Sequence, residues 1–246
     1  MHDAKDAVLN PRGPLSRDGI KYAAMLAMLL NHVAAVFLAP GTLWAQLLTD
    51  VGYFTAPVMC WFLVEGYGRT RSRRRYALRL AAFAALSELP FCLAFTEGEG
   101  LGFVGMNMIF TLLVCFCILL ALDRLPPAPA RAAAAALTCL TAVIPCDWGL
   151  LAPAYTLLFR WAAGSRRRTV WAFGWAAGLF FLVNWAAGGI LPAIGASMGV
   201  AAAGAAILWL YSGRRAQRGR RFSQWFFYWF YPLHLLALGL ARAAAL

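Results

Sequence analysis

Two histidines and a glutamate lie deep inside apolar stretches of this 246-residue chain. His32 falls within the run from Ile20 to Ala39, which is long enough to cross a bilayer. At ~1.5 Å rise per residue it sits ~18 Å from Ile20, near the middle of a hydrocarbon layer ~30 Å thick. Counted the same way, Glu88 is ~18 Å from Tyr76 and His234 is ~14 Å from Trp225, so the three ionisable groups share one depth. Such groups are costly when they face lipid, which makes a functional site the default reading and a shared hydrated interior the cheapest accommodation. They can relay protons, ligate a haem through two imidazoles or line a transport path. The plain alternative is a histidine hydrogen-bonded to an adjacent helix. Lys21, Met25, Met28 and His32 fall within ~40° of one helix face, so that face is expected to turn toward a neighbour rather than lipid.

Other residues extend this set. Tyr228, Tyr231 and His234 follow one another at i+3 steps, with Pro232 breaking the backbone ladder between them. Glu65 lies beside a cationic loop and reads as an ion-pair partner or as a substrate-holding acid. That loop places Arg69, Arg71, Arg73, Arg74 and Arg75 together, and Arg214, Arg215, Arg218, Arg220 and Arg221 form a second cluster. Twenty of the 22 basic residues are arginine. Guanidinium forks match phosphate oxygens, so an anionic cytosolic ligand containing a nucleotide suits them; topogenesis and attraction to anionic membrane lipids is the other reading. The six cysteines form no C-x-x-C pair and no zinc spacing, so no metal is expected. Gly195-Ala-Ser197-Met-Gly199 matches G-x-S-x-G but lacks the strand-turn-helix context of a serine hydrolase.

These residues need helices to position them. The chain is 62% hydrophobic and 13% charged, which excludes an ordinary soluble domain. Its net charge of +12 resides in short clusters between apolar spans, not on the continuous basic face that nucleic acid would need. Apolar segments at roughly 20–39, 51–68, 76–95, 104–122, 131–146, 149–163, 169–186, 190–211 and 225–243 predict an all-α polytopic membrane protein of about nine transmembrane helices. With the amino terminus cytoplasmic, Lys5, Arg12, Arg17, Lys21 and every arginine cluster fall inside. Asp50, Glu97, Glu99 and Asp147 fall outside, with Arg242 the lone basic exception. Residues 1–246 read as a single integral-membrane domain. Gly174-x-x-x-Gly178 and Gly195-x-x-x-Gly199 are close-approach patterns that helix packing accounts for.

Several ordered motifs resemble the TraX family of membrane acetyltransferases. They are Leu15-x-x-Asp18-x-x-Lys21 through Asn31-His32, Gly52-Tyr53-Phe54-x-Ala56-Pro57 through Glu65-Gly66, and Ser87-Glu88-Leu89-Pro90-Phe91. Asn107-x-x-Phe110-Thr111-Leu112, Tyr211-Ser212-Gly213-Arg214 and Phe227-Tyr228-x-Phe230-Tyr231-Pro232-Leu233-His234 follow. The region from about 125 to 205 adds little. The chain departs from the family at Asn31, where an acidic residue is usual, and at Glu88, where glutamine is common. The resemblance implies an integral-membrane acyltransferase that moves an acetyl group from cytosolic acetyl-CoA to an amine such as a pilin amino terminus. An acceptor hydroxyl on a glycan or lipid-linked sugar would use the same machinery, and a small-solute transporter is the alternative of another class. On this reading His32 is the catalytic base or nucleophile, and His234 and Glu88 support proton transfer or orientation. Arg69, Arg71, Arg73 and Arg214 would bind the coenzyme A phosphates, and Asn107, Tyr231 and Glu65 would orient donor or acceptor. The expected location is the bacterial cytoplasmic membrane.

Overall fold

Half of the ten α-helix starts are written in the sequence as caps. Ser16, Thr42, Ser72, Asn107 and Ser165 each place a side-chain oxygen on a backbone N–H one turn ahead. They open α1 (Arg17–Phe37), α2 (Leu43–Gly52), α4 (Arg73–Phe95), α5 (Met108–Arg124) and α8 (Arg166–Gly188). Pro127 starts α6 (Pro127–Val143), where its missing N–H costs nothing. The remaining helices are α3 (Thr55–Arg69), α7 (Leu151–Ala162), α9 (Ile190–Ala205) and α10 (Arg220–Ala245). A π-helical turn, Ala206–Leu210, follows α9. The structure is a computed structural model describing residues 13–96, 98, 101–214 and 219–245, without the side chains of Arg220 and Arg221. Lys5, Arg12, Glu97, Glu99, Arg215 and Arg218, used above to orient the chain, lie outside the described residues.

The described residues are all-α, with two isolated backbone bridges and no strands. Each of the nine expected apolar segments is largely helical. Length and composition qualify five stretches to cross a membrane, at 17–37, 43–69, 73–95, 166–188 and 190–210. Helices α5, α6 and α7, of 17, 17 and 12 residues, are shorter than these. Trp44, Trp171, Trp175, Leu191 and Met198 are exposed, an outer surface that fits a lipid solvent and would be a liability in water.

The chain divides into two compact units. The first comprises residues up to Trp61 together with Leu157–Phe227, and the second comprises Phe62–Thr156 with Tyr228–Leu246.

In the first unit, Trp61, Phe159 and Phe173 form an aromatic centre with ring centroids 4.6–5.9 Å apart. Gly204 packs on the Phe173 ring. Helices α1 and α2 are fastened by Asn31, whose Nδ2 donates to the Thr49 carbonyl at 3.1 Å. Gly52 makes the room: a Cβ there would lie 2.2 Å from Asn31 Cβ. Thr55 Oγ1 donates to the Ala24 carbonyl at 2.8 Å and ties α3 to α1. The two glycine patterns differ in use. Cβ atoms at Gly195 and Gly199 would meet Asp50 Oδ2 at 2.3 Å and the Asp50 carbonyl at 2.4 Å, so α9 approaches α2 closely there. Cβ atoms at Gly174 and Gly178 would meet nothing within 4 Å, so packing within the chain accounts for only one of the two patterns.

In the second unit, Val114, Ile118 and Ala134 join α5 to α6. The Phe116 ring lies against Tyr67 and Tyr76. Helices α4 and α10 meet where Phe83 packs on Tyr228 and Trp229, and again where Gly239 accepts Leu93. Arg242, the basic exception to the charge pattern, donates to the Thr96 carbonyl at the C-terminal end of α4, where a cation complements the helix dipole.

Candidate functional site

Helix α5 begins inside the second unit, and its exposed backbone donors have to be satisfied there. Asn107 Oδ1 accepts from the N–H groups of Ile109 and Phe110 at 3.0 and 3.2 Å. The N–H of Met108 donates to Tyr231 Oη at 3.3 Å. Asn107 Nδ2 donates to Glu88 Oε2 at 2.6 Å and to the Ala84 carbonyl at 2.8 Å, and its own N–H reaches Glu88 Oε2 at 3.3 Å. Asn107 is fully buried and Tyr231 is 5% exposed. One network therefore joins α4, α5 and α10. Its carboxylate draws stability from amide donors and a helix N-terminus instead of a basic side chain.

His234 stands next to this network. The contacts of Phe83 with Tyr228 and of Leu93 with Gly239 bracket Glu88 and His234 from below and above, which places them at one height. The His234 ring is 8% exposed, stacks on Phe230 at 4.8 Å and meets Tyr231 edge-on at 5.7 Å. Its Nδ1 lies 2.7 Å from the Phe230 carbonyl. A carbonyl only accepts, so Nδ1 carries hydrogen and Nε2 keeps the lone pair of the neutral ring. That tautomer offers a base.

The second unit thus brings together Glu88, Asn107, Tyr231 and His234. His32 belongs to the first unit, on the buried face of α1 that also carries Met25 and Met28, and is 8% exposed. Burial of this face agrees with the expectation that it turns away from lipid. The neighbouring Asn31 acts in packing, because its amide donates to a carbonyl, which the acid usual in the family could not do in its ionised form.

The cationic residues sort differently. At the arginine-rich end of the second unit, Arg69 pairs with Glu65 one turn earlier. Arg73 pairs with Asp123 at 2.9 Å, with its guanidinium over the Tyr67 ring at 4.4 Å. Tyr67 Oη also donates to Asp123, at 3.1 Å. Glu65 is thus an ion-pair partner. Arg71 is exposed between these pairs. Arg214 belongs to the first unit, where its carbonyl accepts from the Arg17 N–H at 2.8 Å beside the Leu15–Tyr211 bridge. The residues 15–21 and 211–214, which carry two of the motifs, therefore meet through their backbones.

Sequence reasoning missed Asp147 and Thr111. Asp147 reads in the sequence only as an outside charge, yet its loop is bound to the start of α5. Thr111 Oγ1 donates to the Asp147 carbonyl at 2.7 Å, and the Asp147 N–H donates to the Met106 carbonyl at 2.8 Å. Burial raises the Asp147 carboxyl to about 6, against the lowering effect of a bond from the Trp148 N–H. The signal available was its position beside Pro145 in a connection too short to leave a charge in free solvent.

The family model described as "TraX protein" matches residues 16–242. A curated relative described as "Probable fimbrial assembly protein FimC, serogroup H1", from Dichelobacter nodosus, is 31% identical over 237 residues. The alignment covers 91% of this chain and 94% of the relative. No solved structure matches the chain.

Proposed function

Because this chain belongs to the TraX family, we propose that it is an integral-membrane acyltransferase that moves an acetyl group from acetyl-CoA to an acceptor beyond the membrane, in the service of fimbrial or pilus assembly. The observation that supports this reading is the recessed polar set of the second unit, in which a histidine bonded through Nδ1 to its own helix stands beside the Glu88–Asn107–Tyr231 network. A scaffold has no use for a base in that position, whereas acyl transfer needs one. The word "fimbrial" in the relative's name supports a pilin subunit as acceptor, and a protein amino terminus is the group such a subunit offers.

In this reaction the acceptor nitrogen attacks the thioester carbonyl carbon, the carbon–sulfur bond breaks, and coenzyme A leaves as its thiol. The attacking nitrogen gives up a proton, which His32 or His234 receives in its neutral form. If His32 acts as nucleophile, the acetyl group rests on its ring before the acceptor takes it. Tyr231 and Asn107 orient the reacting groups. Arg71 of the second unit binds the donor's phosphates, with Arg69 and Arg73 contributing where the anion competes with their carboxylate partners.

The test is transfer across a vesicle. Proteoliposomes receive labelled acetyl-CoA outside and, inside, a pilin-like peptide with either a free or a formylated amino terminus. Label is expected on the free peptide alone. Equal labelling of both peptides, or labelling only of a lipid-linked sugar, would reassign the acceptor.

A further inference from the structure

Ser87 opens the Ser87-Glu88-Leu89-Pro90-Phe91 motif and has no part in the mechanism above. It is fully buried in α4, and among the described residues its Oγ has no hydrogen-bond partner. Thr138, Thr169 and Ser197, in other helices, bond back to the carbonyls of Ala134, Ser165 and Ala193 at 2.6–2.9 Å. Ser87 makes no such bond to Phe83. A buried hydroxyl left in this way costs free energy until an acceptor reaches it.

The stripe of α4 that holds Ser87 faces α10. Phe83, one turn earlier, packs on Tyr228 and Trp229. Leu93 and Ala94, further along, line Gly239, where a Cβ would lie 2.7 Å from Leu93 Cγ and 3.1 Å from the Ala94 nitrogen. The two helices therefore run parallel, and the matching offset at both contacts sets Ser87 level with Pro232, half a turn before His234. Pro90 and Pro232 interrupt both backbone ladders here, which makes this the part of the contact best able to open for a polar guest. The neighbouring polar groups are engaged with one another. Asn107 Nδ2 gives one hydrogen to Glu88 and the other to the Ala84 carbonyl, Tyr231 Oη accepts from Met108, and His234 Nδ1 bonds to the Phe230 carbonyl. Ser87 is the uncommitted donor of this set, and the transfer described above leaves the oxygen that turns anionic without one.

We propose that Ser87 is a catalytic residue of the transfer: its hydroxyl, in the α4–α10 contact level with Pro232, donates to the acyl carbonyl oxygen. This rests on the acyltransferase reading. As the amine attacks the carbonyl carbon, the carbon–oxygen π pair moves onto oxygen, and Ser87 stabilises that charge without giving up its proton. The pair then returns to re-form the carbonyl, the carbon–sulfur bond breaks, and sulfur leaves with its electrons and takes the proton that the histidine received.

The experiment uses the purified full chain in lipid nanodiscs and an unreactive donor analogue, a ketone in which a methylene separates the sulfur of coenzyme A from a carbon-13 acetyl carbonyl. Infrared spectra follow that carbonyl. Its stretch is expected at lower frequency in the parent than in Ser87→Ala, because only the parent donates to it. With acetyl-CoA and a free-amine peptide, Ser87→Ala is expected to lose about 10²-fold in kcat with KM unchanged. Its unfolding midpoint should be no lower than the parent's, since the substitution removes an unsatisfied buried group. Equal frequencies in the two bound proteins, or an unchanged kcat, would overturn the role of Ser87 alone. A lowered midpoint in Ser87→Ala would also overturn it, by assigning the hydroxyl to packing or to a bridging water. An analogue that fails to bind the parent would sink the acyltransferase reading together with it.

Discussion

Replacing His32 or His234 with alanine is expected to slow acetyl transfer by about 10²–10⁴-fold, with little loss of thermal stability. His234 owes its role to local geometry. Its Nδ1 hydrogen is committed to the Phe230 carbonyl, so the lone pair on Nε2 is the functional one. His32 owes its place to α1, where Asn31 locks the helix against α2 one residue earlier. A ring that takes the proton is lost from the rate alone, whereas a ring that only packs would lower the unfolding temperature in parallel with the rate. Rates and melting curves for the two single variants separate these cases.

The largest effect on stability is expected from Asn107→Ala, at about 3 kcal/mol. Losing a helix N-cap costs about 0.5–2 kcal/mol, and a half-buried carboxylate stripped of its side-chain donor loses about 1.5 kcal/mol more. Asn107 is engaged in both ways, through the N–H groups of Ile109 and Phe110 and through Glu88. Asn107→Asp keeps a capping oxygen but sets two carboxyls against each other, so it too should destabilise. Combining it with Glu88→Gln restores one donor and one acceptor across the contact, and should recover most of the loss. The glutamine common in the family at this position is compatible with that exchange. Thermal unfolding in detergent of the singles and the pair is the measurement; a destabilised pair would show that the network is not the reason for the cost.

Much of this arrangement is legible in the sequence. Depth counting along α4 and α10 puts Glu88 and His234 at one level, because helix rise is constant and both helices run from arginine-rich ends. Asn107 at the head of an apolar run is a recognisable cap. The ion pair of Glu65 with Arg69 follows from their i,i+4 spacing. By contrast, the partner of Arg73 is Asp123, fifty positions away, and nothing local signals such a contact. Helix α2 escapes notice because residues 43–50 fall between the apolar segments read at 20–39 and 51–68, although Pro40-Gly41-Thr42 marks its start. Asp147 escapes because a charge between two apolar segments reads as topology, while its value depends on backbone bonds to a segment forty residues earlier. Local periodicity finds helices and depth, and long-range pairing decides which polar groups are occupied.

The claim that histidine-centred acyl chemistry occurs in this protein is tested most directly by thioester cleavage. Purified protein in lipid nanodiscs is given labelled acetyl-CoA with no acceptor, and both free coenzyme A and protein-bound label are followed against His32→Ala. Coenzyme A release, or label retained on the parent, that is lost with His32 is the expected result. Intact acetyl-CoA recovered quantitatively from the parent, or equal cleavage by both proteins, would contradict it.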